Sequence, residues 1–138
     1  MDAEKVTYDG HTVNFSSNTG VGNVYKGVFN IAQEKAFENK IKAWLKGHNC
    51  YNVKFFANAY TKAGVPDILA CVNGYFVGIE VKADNGHPSD LQLYNVRKIR
   101  EAGGFEWVVY PSGYDELTKI LNDLQCDTFN REGKEILK

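Results

Sequence analysis

The chain lacks the cysteines of a disulfide framework. Cys50, Cys71 and Cys126 form no CxxC pair, and three thiols cannot all pair with one another. That spacing argues for neither a disulfide scaffold nor a zinc site, and it suits a reducing cytoplasm. An excess of charge of one sign is also missing. Lys and Arg number 16 against 17 Asp and Glu, a formal net charge of -1, so no global basic field announces a nucleic-acid partner. Any such partner has to be held by local patches. No apolar run approaches the roughly 20 residues of a membrane helix, and the opening MDAEKVTYDG carries no basic-then-apolar leader. A soluble, cytoplasmic protein without a membrane partner is expected. The three histidines, His11, His48 and His87, make neither an HNH nor an HExxH pattern, and no internal repeat or low-complexity block is present.

What the chain does have is apolar material for one core. At 138 residues with 43% hydrophobic and 13% aromatic content, it can build one sizeable core but hardly two, so one compact domain is expected. Residues 6–15, VTYDGHTVNF, alternate apolar and polar about Asp9-Gly10 and predict a small hairpin. The Gly-, Ser- and Asn-rich stretch that follows, SSNTGVGNVYKGVFN, predicts a loop or arm. In AQEKAFENKIKAWLK, residues 32–46, Phe37, Ile41, Trp44 and Leu45 recur at helical spacing, with Gly47 as the stop. YNVKFFANAY predicts a strand, residues 64–84 two more, and HPSDLQLYNVRKIREAGG a helix ended by two glycines. FEWVVYP predicts another strand and YDELTKILNDL a last helix, with Tyr94, Trp44 and Trp107 expected in the core. The polar tail DTFNREGKEILK is expected to fray. The order after the arm is α-β-β-β-α-β-α, an α/β fold with a mixed sheet covered by helices.

The stretch GVPDILACVNGYFVGIEVKAD, residues 64–84, carries two acids and a lysine in strands otherwise apolar. With Asn73-Gly74 as a two-residue turn, Val72 faces Tyr75, Cys71 faces Phe76, Leu69 faces Gly78 and Asp67 faces Glu80. Because alternate side chains share a face, Asp67, Leu69, Cys71, Phe76, Gly78, Glu80 and Lys82 lie on one side, whose apolar members call for a covering helix. Acids opposed at about 4.5–5.5 Å between Cβ atoms repel unless a positive charge lies between them. A divalent cation would supply it, held by carboxylates, backbone carbonyls and waters, and would lower the pKa of a bound water. Lys82 projects to the same side, suited to orienting that water or stabilising a phosphate. Taken alone, an E-x-K string more often lines the solvated face of an edge strand, and Pro66 equally suits a strand that merely begins there.

These residues resemble the PD-(D/E)xK nuclease superfamily, and within it the virus-type replication-repair nuclease domains common in phage. The similarity lies in GVPD (64–67), IEVK (79–82), NGxPSxxQ (85–92) and AGG (102–104), and it spans roughly residues 34–121. It implies a restriction-endonuclease-like core and a metal-dependent phosphodiesterase acting on DNA, related to Holliday-junction resolvases. Residues 31–125 would form the nuclease domain, with the hairpin and arm in 1–30 and the tail in 126–138. The resemblance implies catalysis by Asp67, Glu80, Lys82, Glu38 and Gln92, with Mg²⁺ or Mn²⁺ held by Asp67, Glu80, Glu38 and the backbone of Val81.

Around this set the residues leave alternatives open. Glu38 is preferred to Glu34 because it flanks the apolar stripe of the first helix, whereas Glu34 also suits a first turn. Ser89 and Gln92 fit an S-x-x-Q capping box, which explains both residues as well as a site role does. Lys62, His87, Ser89 and Arg97 are candidate nucleic-acid contacts. Lys35, Lys42, Lys46, Lys54, Lys98 and Arg100 are weaker ones, since such charges usually face solvent. A homodimer on branched DNA is expected, with Val21, Val24, Tyr25, Val28 and Phe29 of the arm as apolar residues a monomer has little reason to expose. A nucleic-acid-binding or assembly module that keeps the fold without catalysis is the alternative.

Overall fold

Asn-Gly turns and the period-2 pattern around them dictate the centre of the molecule. The computed structural model describes residues 3–8, 11–16, 20–128 and 134–138, with side chains from residue 28 onward. Its central hairpin joins β4 (Ile68–Val72) to β5 (Tyr75–Val81) in the expected register, with Val72 opposite Tyr75, Cys71 opposite Phe76 and Leu69 opposite Gly78. Asn73 and Gly74 both take positive φ, at 50° and 82°, as a tight two-residue hairpin requires. The Asn73 side chain donates to Leu124 O and Asp127 Oδ1, which ties the turn to the end of the last helix.

On one side of this hairpin lies β3 (Tyr51–Lys54), antiparallel to β4; on the other lie β6 (Phe105–Val109) and β7 (Ile136–Leu137), both parallel. The five-stranded mixed sheet runs β3-β4-β5-β6-β7. A separate two-stranded sheet pairs β1 (Ala3–Tyr8) with β2 (His11–Ser16), Tyr8 opposite His11. The Asp9-Gly10 turn between them lies outside the described residues.

Helices cover both faces of the large sheet. Phe37, Ile41 and Leu45 of α1 (Gly20–Gly47) and Leu117, Leu121 and Leu124 of α3 (Tyr114–Gln125) bury against Ile68, Val72, Val77 and Ile79. On the opposite face Val96 of α2 (Asp90–Glu101) packs with Val108 and Tyr110. No helix among the described residues is long and apolar enough to cross a membrane.

Four readings of the sequence need correction. Residues 20–30, expected as loop or arm, are the first turns of α1. Val21, Val24, Tyr25, Val28 and Phe29 stand at i, i+3, i+4, i+7 and i+8, a helical period that the neighbouring glycines mask. Gly47 does not stop that helix. Asn49 does, at φ 58°, with Asn49 N–H donating to Lys46 O and Cys50 N–H to Leu45 O in a Schellman pattern. The strand from Tyr51 ends at Lys54, and residues 55–67 run irregularly to the next strand. The tail, expected to fray, supplies β7, whose Leu137 is fully buried; residues 129–133 lie outside the described residues. In addition, Tyr94 is 45% exposed rather than in the core, whereas Trp107 is buried.

Candidate metal centre

Asp67 sits one residue before β4, and Glu80 lies on the central strand β5. Pro66 and Gly78 fit together here: a Cβ on Gly78 would stand 2.6 Å from Pro66 Cγ and 3.2 Å from Glu106 Cγ. Only glycine lets the ring lie over the strand, and the ring fixes the backbone that leads into Asp67. Asp67 Oδ2 then accepts from Val81 N–H at 2.9 Å, while Oδ1 lies 3.5 Å from Lys54 Nζ. Val81, expected to meet the ion through its backbone, enters the site here through its N–H on Asp67.

Glu80 is almost fully buried. Its Oε1 accepts from Gln92 Nε2 at 2.5 Å and lies 3.8 Å from Lys82 Nζ, and its Oε2 is buried without a hydrogen-bond partner. Burial, followed by the Asp67 charge, pushes the Glu80 carboxyl up to about 8 against the pull of Lys82, and Glu106 adds to the rise. A buried carboxyl with one oxygen unpartnered keeps its proton unless a positive charge is brought beside it.

Gln92 serves two purposes at once. Its Oε1 accepts from Ser89 N–H at 2.9 Å and its N–H donates to Ser89 Oγ at 3.1 Å, completing the capping box of α2. The same side chain's Nε2 holds Glu80. Capping and site roles, alternatives in the sequence, coexist because an amide has an acceptor for one and a donor for the other.

From α1, Glu38 reaches the cleft. It is 8% exposed, with Oε1 2.5 Å from Lys54 Nζ and Oε2 3.5 Å from Lys42 Nζ one turn on. Burial lowers the pKa of Lys54, but the hydrogen bond to Glu38 and the Asp67 charge outweigh it, and the net shift is upward. Glu34, one turn earlier, is occupied elsewhere: its Oε1 accepts from Ala83 N–H at 3.1 Å, and Gln33 beside it binds Asp84 in both directions. These bonds pin the segment that leaves β5. Glu34, Glu38, Lys42, Lys54, Phe56 and Asp67 line a cleft of about 370 Å³.

Glu106 completes the electrostatics and was not singled out in the sequence. It is fully buried on β6 opposite Gly78, with neither carboxylate oxygen hydrogen-bonded, and burial raises its pKa to about 8 despite Arg100. An acid in the middle of the apolar run FEWVV was the signal available, since a central parallel strand is buried on both faces.

Lys35 lines the same cleft, but several other candidate contacts stand apart from the cluster. Lys62, His87, Ser89 and Arg97 are exposed, Lys98 pairs with Glu101, and Arg100 donates to the carbonyls of Glu106 and Lys134. Arg100 is therefore committed to the fold.

Among the described residues no three acidic, histidine or cysteine side chains stand together as a group that could hold a metal ion. The oxygens nearest to such a role are the buried, partnerless Glu80 Oε2 and the Glu38 and Asp67 carboxylates that Lys54 bridges, and a hard octahedral ion that keeps several waters calls for only a few carboxylate oxygens. Comparison with protein-family models, with curated proteins and with solved structures gave no match.

Proposed function

We propose that the chain is a Mg²⁺- or Mn²⁺-dependent DNA endonuclease on a restriction-endonuclease-like core, of the virus-type replication-repair kind, acting on branched DNA such as Holliday junctions. The observation that carries this reading is the gathering of Asp67, Glu80 and Lys82 with Gln92 and Glu38 beside an open cleft. A binding module has no use for buried acids that repel one another. Asp67, Glu80 and Glu38 would hold the ion. When bound, that ion would supply Lewis-acid polarisation of the phosphate and a water acidic enough to ionise near neutral pH. Lys82, its ammonium beside Glu80, positions the attacking water and offsets charge on the phosphate. Gln92 Nε2 holds Glu80 Oε1, which leaves Oε2 as the oxygen that would meet the ion.

The test is cleavage of a panel of labelled four-way junctions, flaps, nicked and plain duplexes with Mn²⁺, Mg²⁺ or EDTA. Junctions are expected to be cut with either ion and spared in EDTA. Asp67→Asn and Glu80→Gln should each lose at least about 100-fold in rate while staying folded. Lys82→Ala should lose turnover and keep Mn²⁺ binding by calorimetry. Wild-type cleavage by either acid variant in Mg²⁺ rejects the site, and DNA binding without cleavage by the native chain assigns it to a non-catalytic module.

A further inference from the structure

Lys54 stands where a cation is wanted. Glu38 arrives from α1 and Asp67 from the residue just before β4, and two carboxylates lining one cleft repel unless a positive charge separates them. Lys54 Nζ supplies that charge, 2.5 Å from Glu38 Oε1 and 3.5 Å from Asp67 Oδ1. The side chain comes from the opposite end of the hydrogen-bonded ladder to the turn, since Lys54 is the last residue of β3 and pairs with Ile68. An ammonium and a Mg²⁺ ion with ligands at about 2.0–2.1 Å cannot both occupy the space between the same two carboxylates. One must leave when the other arrives.

The lysine is built to leave. Its side chain is 26% exposed and lines the open cleft, whereas Glu38 is held from its other oxygen by Lys42 at 3.5 Å and Asp67 by Val81 N–H at 2.9 Å. Each carboxylate thus has a second partner that does not run through Lys54, and its flexible four-carbon stem gives the ammonium reach.

Resting on the nuclease reading above, we propose that Lys54 is the resident counter-cation of this centre: it holds the Glu38–Asp67 pair in the metal-free protein, yields its place to the divalent ion, and then pairs with a DNA phosphate. Lys54 is thereby a substrate-contacting residue in the loaded protein and a competitor of the ion in the metal-free one. The released ammonium gains a phosphate partner only when DNA is bound, so ion and DNA favour one another's binding through this side chain.

The experiment is Mn²⁺ calorimetry without DNA on the full chain, comparing the native protein with Lys54→Met, Lys54→Arg and Asp67→Asn. Lys54→Met is expected to bind Mn²⁺ about tenfold more tightly, because the competitor is gone, and to unfold at lower urea when metal-free. Its cleavage of junction DNA should nevertheless fall. Lys54→Arg, which grips a carboxylate through two donors, should bind Mn²⁺ more weakly than the native chain; this arm decides the matter if Lys54→Met does not fold. Equal or weaker Mn²⁺ binding by a folded Lys54→Met, or unchanged binding by Lys54→Arg, overturns the proposal. If Asp67→Asn loses Mn²⁺ while the Lys54 variants match the native chain, this inference alone falls. If the folded native chain binds no Mn²⁺, the nuclease reading falls and takes the inference with it.

Discussion

Glu80 and Glu106 lie on one face of the sheet, both buried, and burial lifts each carboxyl from an ordinary 4.5 to about 8. Between those values the folded protein keeps protons that the unfolded chain has released. The stability these two groups contribute to the metal-free protein is therefore full below about pH 4.5 and declines as pH rises toward 8. Glu106→Gln removes one of the two contributions. It should match the native chain at about pH 5 and exceed it by about 1–3 kcal/mol at about pH 8, read from urea midpoints. An unchanged slope between those pH values would show that Glu106 ionises freely. Of these acids the sequence revealed Asp67 and Glu80, because an Asn-Gly turn fixes the pairing by counting outward. Glu106 is marked locally only by the apolar run FEWVV around it, and only the parallel partner β5 sets it opposite Gly78. Lys54 was legible as a charge near DNA but not as a bridge, since that contact joins a helix to two strands distant in the chain.

At the scale of elements, α2 is both a cover for the sheet and a support for Glu80, and its first turn lets the two be separated. Ser89→Ala loses the cap and should cost about 1 kcal/mol while leaving Gln92 Nε2 on Glu80. Gln92→Glu keeps a capping acceptor at the same position but replaces the donor facing Glu80 with a carboxylate. The first variant should keep cleavage and unfold earlier; the second should keep most stability and lose cleavage. Equal activity in both would remove Gln92 from the site. Where an element is short and amphipathic, as α2 and α3 are, period and end signals gave its limits closely. Where glycines interrupt the period, as at Gly20, Gly22 and Gly27, they hid an early helix start, because propensity is a weak prior against packing. β7 was equally unreadable, a two-residue strand whose only warrant is its place beside β6.

For the molecule as a whole, the nuclease reading carries a requirement of symmetry: two cuts across a four-way junction need two sites at a fixed separation, and one domain has one. A homodimer at micromolar concentration is the expected result of light scattering on the full chain. A monomer there sinks it. Because α1 runs unbroken from Gly20, the segment to remove is the hairpin β1–β2 and not the helix; loss of the dimer in a chain begun at Gly20 would assign the interface to the hairpin. The placement of β7 has one more consequence, for the order in which a ribosome makes the chain. Every residue of the proposed cation site, from Glu38 to Gln92, emerges before β6 and well before Ile136 and Leu137. While the nascent chain lengthens, β6 waits with an unpaired edge, open to pairing with any neighbouring strand. The acids are in hand early, but the sheet that holds them is closed last.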